Sequence, residues 1–98
     1  MNMQAMLQQA QRMRKDIQQK QEQINSTEYI GTSEMIDITI YGSKKIKSVN
    51  IKVKSLDEED VEVLEDMIKI AMNDAISKVD KDTESKLGAY SKQLGGLI

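Results

Sequence analysis

The side chains able to do chemistry in this chain are almost all charged, and the two most versatile types are missing. With no histidine it lacks the usual general base at neutral pH and the commonest metal ligand. With no cysteine it has no thiolate nucleophile, disulfide or zinc–thiolate site. What remains is a dense acidic run, Asp57, Glu58, Glu59, Asp60, Glu62, Glu65 and Asp66, and two groups of cations. The acidic spacing is not that of an EF-hand loop. Its early members stand where a helix begins. Asp57 is placed to cap the first backbone N–H groups, Asp60 occupies the third helical position, and the helix dipole favours negative charge there. Glu65, Asp66, Asn73 and Asp74 have no nucleophile, base pair or phosphate loop beside them, which leaves them surface or interface hydrogen bonding. The expectation is a non-enzyme with no cofactor, no metal and no small-molecule substrate.

The cations are unevenly divided. Residues 1–56 carry nine basic and five acidic side chains and residues 57–98 five and eleven, so a net charge of −2 conceals a positive half. Lys44, Lys45, Lys47, Lys52 and Lys54 follow one another with no intervening acid, and Arg12, Arg14, Lys15 and Lys20 decorate the N-terminal segment. Nucleic acid binding needs such local clusters, because each phosphate contact releases condensed counterions whatever the global charge. For the strand lysines, protection of a sheet edge against stray pairing is a sufficient account. For the N-terminal cations the alternative is a solvated coiled-coil face. Tyr29, Tyr41 and Tyr90 are too few and scattered for a base-stacking platform, and no base-reading recognition helix is evident. Binding, if present, would use the backbone and shape of double-stranded DNA.

The elements that must position these groups follow from periodicity. Met3, Met6, Ala10, Met13, Ile17, Lys20 and Ile24 fall on one heptad seam, predicting a helical arm over residues 1–25. At 1.5 Å per residue it outreaches any sheet of short strands, so its cations are available to a ligand. Alternation then replaces the helical period. Ile36, Ile38 and Ile40 mark a half-buried strand, Tyr41-Gly42-Ser43-Lys44 a hairpin turn, and Val49, Ile51 and Val53 a second strand. Ile46 has the opposite parity to Val49, which calls for a bulge or a late strand start. A weaker strand over residues 28–32 makes an antiparallel sheet of three across residues 28–54. Residues 57–94 are read as a C-terminal helical region, continuous or broken near Gly88, and residues 95–98 as a flexible tail. Its first part is apolar on two sides, one stripe running Val61, Leu64, Ile68, Ala71, Ala75 and Val79 and another Val63, Met67 and Ile70. A surface helix needs one apolar arc, so a second copy of the chain is the simplest cover for the rest. A single domain of this length would be marginal alone. No stretch approaches a membrane span or a signal peptide, so a soluble intracellular protein is expected.

Three pieces of the chain resemble the YbaB/EbfC family of bacterial nucleoid-associated proteins. They are the string Leu64-Glu65-Asp66-Met67-Ile68-Lys69-Ile70-Ala71-Met72-Asn73-Asp74-Ala75, the opening Met6-Leu7-Gln8-Gln9-Ala10-Gln11-Arg12-Met13, and the strand end Ile38-Thr39-Ile40-Tyr41-Gly42. The resemblance implies an α+β fold: a long N-terminal helix, a three-stranded antiparallel sheet and a C-terminal helix or helices, assembled as a tweezer-like homodimer. It implies a joint core of strands and second helix, which assigns Val63, Met67, Ile70, Ile36, Ile38 and Ile40 to the interface between copies. It implies cytoplasmic, nucleoid-associated, largely non-specific binding of double-stranded DNA, with roles in chromosome organisation and gene regulation. Contacts made by projecting helices map onto Arg12, Arg14, Lys15 and Lys20, with Lys86 and Lys92 as further candidates. Family members often carry Gly-rich or Gly/Pro/Met-rich extensions, whereas this chain has no proline. The rival expectation is a coiled-coil-type protein-interaction module, docking a foreign helix on the Met3–Ile24 seam, with no direct DNA role.

Overall fold

The computed structural model describes residues 2–95, with side chains described as far as Tyr90. Helix α1 spans Met3–Ser26. It starts at Asn2, whose side-chain oxygen accepts the Gln4 N–H at 3.1 Å, as an N-cap should. It stops where hydroxyls take its last carbonyls: Thr27 Oγ1 donates to the Gln23 carbonyl at 2.6 Å and Ser26 Oγ to that of Glu22 at 3.1 Å. Strands β1 (Glu28–Thr32), β2 (Ile36–Tyr41) and β3 (Ile46–Ile51) form one antiparallel sheet in that order. A 3₁₀ turn over Glu58–Asp60 then leads into α2, Val61–Gly95. The turn is closed by the Asp57 N–H donating to the Asp60 carboxylate at 2.9 Å, the reciprocal half of a capping box. Leu97 and Ile98, with the rest of the expected tail beyond Gly95, lie outside the described residues.

Two sequence features resolve cleanly. The β2–β3 connection, residues 42–45, is a tight turn in which the Lys44 N–H donates to the Tyr41 carbonyl at 2.8 Å and the Tyr41 N–H to the Lys45 carbonyl at 2.9 Å. The parity change at Ile46 is a bulge: Thr39 pairs with Ser48 but Ile40 with Ile46, leaving Lys47 as the extra residue. The helix left open at Gly88 is unbroken. A lone glycine costs a helix only about 1 kcal/mol, and Gly88 is buried.

The core lies between α2 and the first two strands: Tyr29, Ile36, Ile38, Ile40, Ala71, Ala75 and Val79. Close approach is written into small residues. A Cβ on Gly31 would stand 1.9 Å from the Ala71 carbonyl oxygen and 2.5 Å from the Ala75 nitrogen, so β1 meets the helix backbone directly. Polar groups finish that junction. The Thr32 N–H donates to Asp74 Oδ2 at 3.0 Å and Lys78 Nζ to the Ile30 carbonyl at 2.6 Å, while Lys78 and Asp74 pair at 3.2 Å. Both backbone groups belong to alternate residues on the outer edge of β1, and the Asp74–Lys78 pair closes that edge.

A helix about 10 Å across can cover two strands spaced ~4.8 Å apart, but not three. β3 is therefore left bare. Its Ile46, Val49 and Ile51 pair with Ile40, Ile38 and Ile36 and so share their face of the sheet. Yet they are 57%, 52% and 46% exposed, where Ile40, Ile38 and Ile36 are 0%, 3% and 0%. The three β2 isoleucines, expected at an interface between copies, are buried within the chain in one cluster with Ala71, Ala75 and Val79 of α2. Val63 and Ile70, at 45% and 50%, keep surface to offer, and Met67 is half-buried.

Beyond the sheet the molecule is long. Its extents are 70 × 21 × 14 Å and its radius of gyration 19.5 Å, against about 13 Å for a compact domain of this length. The excess is an arm made of most of α1 and the C-terminal part of α2.

Candidate nucleic-acid interface

The arm is two helices packed along the heptad seam. Met13, Ile17, Lys20 and Gln21 are half-buried and Ile24 is fully buried, whereas Met3, Met6 and Leu7 near the far end are exposed. At its foot, Tyr29 reaches from β1 to donate its hydroxyl to Asp82 Oδ2 at 2.5 Å, and Lys86 pairs with the same oxygen at 2.9 Å. The Tyr29 phenol is pushed up to about 12, chiefly by burial and then by its bond to Asp82. The Asp82 carboxyl is held below the ordinary carboxylate range, mainly by the same bond and then by Lys86. These three side chains tie the arm to the sheet.

The candidate cations do not stand alike. Arg12, Arg14 and Lys15 are exposed and form no ion pair among the described residues. At 100° per residue, Arg12 and Lys15 point away from the seam on one face of α1, with Arg14 at its flank. Lys20 is committed to the arm itself, its ammonium donating to the Tyr90 hydroxyl at 3.1 Å and lying 4.8 Å from the ring centroid. Lys86 is committed to Asp82, and the Lys92 side chain lies outside the described residues. Of the sequence candidates the fold thus leaves Arg12, Arg14 and Lys15 as unneutralised charge, with Arg12 and Lys15 sharing a face.

The strand lysines also divide. Lys47 pairs with Glu28, and Lys52 with Asp37 at 3.2 Å. Asp37 is held low by the Thr32 hydroxyl first and Lys52 second. Neither partner is close in sequence, so two of the five lysines in the apparently unbroken basic run are neutralised by the fold. Lys44 and Lys45, in the hairpin loop, have exposed side chains that make no hydrogen bond or ion pair among the described residues. The carboxylates of the 57–66 run lie on the exposed start of α2, and among the described residues no three metal-ligating side chains gather.

Residues 1–94 match the model of the YbaB/EbfC DNA-binding family. The chain belongs to that family. Curated relatives agree over nearly the whole length. A nucleoid-associated protein of Lactococcus lactis is 43% identical, with 96% of this chain and 97% of the relative covered. One from Enterococcus faecalis is 40% identical, covering 98% and 94%. The fold is also that of an uncharacterized Helicobacter pylori protein solved by crystallography, with a TM-score of 0.70, 20% identity, and 87% and 91% of the two chains covered. The family string acquires a physical reading from the packing. Ala71 and Ala75 admit Gly31, and Asp74 closes the β1 edge, so these residues hold the scaffold rather than a ligand.

Proposed function

We propose that this YbaB/EbfC-family chain pairs with a second copy and binds double-stranded DNA largely without regard to sequence, its arms gripping the phosphate backbone. The observation that carries the reading is the exposed Arg12–Lys15 face on an arm that projects well beyond the sheet. A chain with a net charge of −2 has no global attraction for a polyanion, so affinity rests on where unneutralised cations sit. The nucleoid-associated relatives support a place on the bacterial chromosome, in the cytoplasm, and the reading extends to chromosome organisation and gene regulation. Binding rather than catalysis is the role.

Pairing is supported by the bare face of β3. Ile46, Val49 and Ile51, with Val63 and Ile70 of α2, form more exposed apolar surface than a small chain leaves without a use. A second copy offers the same surface in return, as a two-fold interface requires.

Fluorescence anisotropy with duplexes of unrelated sequence, over a salt series, tests the DNA reading. Similar affinities and a steep fall with salt are expected. Arg12→Ala/Lys15→Ala should lower the log–log slope by about 0.9 for each phosphate no longer neutralised. Salt-independent binding, or an unaltered double variant, would refute the phosphate grip. A second reading is favoured by the exposed Met3, Met6 and Leu7 at the far end of the arm: an adaptable apolar seam that docks a protein helix. A stoichiometric protein recovered on the arm after nuclease treatment, and absent with Met6→Glu, would favour that one.

A further inference from the structure

We infer that the β2–β3 hairpin tip, through Lys44 and Lys45, is a second phosphate-contact point at the foot of the arm, set to meet the same duplex as Arg12 and Lys15. The inference rests on the DNA-binding reading above and adds a site to it.

The topology puts the tip there. Because Glu28 pairs with Tyr41, the β2–β3 turn returns to the end of the sheet from which α1 departs. The Gly42 N–H donates to the Thr27 carbonyl at 3.0 Å, and a Cβ on Gly42 would stand 1.9 Å from the Ile24 carbonyl oxygen. The loop is thus clamped against the end of α1 and moves with it. Nine residues of helix separate Ile24 from Lys15 and twelve separate it from Arg12, about 14 Å and about 18 Å of rise. Those rises, taken along α1 from Ile24, are of the order of the ~12 Å width of a major groove.

The charge at the tip is available. Lys47 and Lys52 are neutralised by Glu28 and Asp37, while the Lys44 and Lys45 side chains are exposed and make no ion pair among the described residues. The backbone adds a second argument. Lys44 sits at φ 72°, the left-handed region where glycine or asparagine is the inexpensive choice and a long side chain is strained. A hairpin loop of this length normally places glycine there. A lysine at such a position, in a loop held by its neighbours, singles out the tip as a place to look for a contact outside the chain.

A structural alternative exists. The last turn of α1 carries no basic residue, so the two lysines could serve only to balance the negative end of its dipole. The two roles give opposite results. In the full chain, Lys44→Gly fits the left-handed position and Lys45→Gln keeps the stem. If the tip meets phosphate, the double variant melts at or above the wild-type temperature but binds duplex DNA more weakly. Its anisotropy salt slope falls by about 0.9 for each phosphate the tip no longer neutralises, roughly eightfold in affinity per phosphate at about 0.1 M salt. A lower melting temperature with slope and affinity unchanged would overturn the inference in favour of the dipole role. Arg12→Ala/Lys15→Ala, measured alongside, separates the failures. If it weakens binding while the hairpin variant does not, the tip is idle and the arm reading stands. If only the hairpin variant weakens binding, the arm grip fails and the tip is upheld. If neither does, both are wrong.

Discussion

Replacing Gly31 by alanine adds one methyl group, and the geometry makes that methyl expensive. Its carbon would stand 1.9 Å from the Ala71 carbonyl oxygen, 2.5 Å from the Ala75 nitrogen and 2.7 Å from the Ala75 Cβ, where ordinary contact begins at 3.4 Å. The first of these falls short by about 1.5 Å, and two of the three atoms are helix backbone that no rotamer change can move. Helix α2 must therefore lift off β1. Adding that distance to the 3.0 Å Thr32–Asp74 bond and the 2.6 Å Lys78–Ile30 bond takes both beyond hydrogen-bonding range. Overpacking of this kind costs about 1–3 kcal/mol where side chains can adjust, and a backbone clash belongs at the upper end. Against a total stability on the order of 5–15 kcal/mol, a loss of about 3 kcal/mol lowers the melting temperature by roughly 12–24 °C. Gly88 is the internal control. A Cβ there meets first the Glu84 carboxylate, at 2.7 Å, the far end of a flexible side chain. Gly88→Ala should therefore stabilise the chain by about 0.5–1 kcal/mol through helix propensity. Thermal unfolding followed by circular dichroism reads both. Gly31→Ala melting within about 5 °C of wild type, or Gly88→Ala melting clearly lower, would refute the packing account.

Other consequences can be measured directly. Because the Tyr29 phenol titrates near 12 rather than 10, the folded state holds its proton more tightly than the unfolded state. The corresponding stability is complete below about pH 10 and disappears as pH rises through the folded value. Ultraviolet titration should show a late phenolate phase that Tyr29→Phe removes, and its persistence would disprove the Tyr29–Asp82 link. On the acid side, Asp74 is held low first by the Thr32 N–H and then by Lys78. Its contribution is present above about pH 4, the unfolded carboxylate range, and is lost as pH falls through the folded value. Asp74→Asn should melt lower at neutral pH and lose less on acidification, whereas parallel pH curves would count against the edge bond. For pairing, sedimentation velocity should find a dimer at micromolar concentration that Val49→Glu converts to a folded monomer. Ile38→Glu should instead unfold the chain, and a Val49→Glu variant that remained dimeric would exclude the β3 face.

Local rules carried much of this fold. The α1 seam, the alternation of β2, the parity change at Ile46 and the acidic start of α2 each depend on neighbours a few residues apart, and each stands in the structure where the pattern puts it. What sequence left undetermined depends on distant partners. β2 and β3 alternate alike, and only the width of one helix decides that Ile36, Ile38 and Ile40 are covered while Ile46, Val49 and Ile51 are not. Nothing near Lys20 in the sequence separates it from Arg12 and Lys15, and only the folded chain sets Tyr90, seventy residues on, beside it. Gly31 and Gly42 were readable as strand-end and turn residues, but their close approaches to α2 and α1 were not. The hairpin lysines were hidden by their own neighbours, since neutralisation of Lys47 and Lys52 comes from β1 and β2. The left-handed Lys44 had one available signal, the lack of glycine or asparagine late in a short hairpin loop.

The Asp74–Lys78 pair on β1 also sets a limit on assembly. Any sheet has two edges, and a chain with both open can add copies without end, as fibres do. Here the Thr32 N–H and the Ile30 carbonyl on the outer edge of β1 are taken by side chains of the same molecule, while β3 carries no such cap among the described residues. Strand addition is then obstructed at one edge of each chain. Two such chains joined at their open sides would present two obstructed ones, which works against further growth. Were copies aligned side by side along a DNA duplex, such an obstruction would favour a countable particle over a filament.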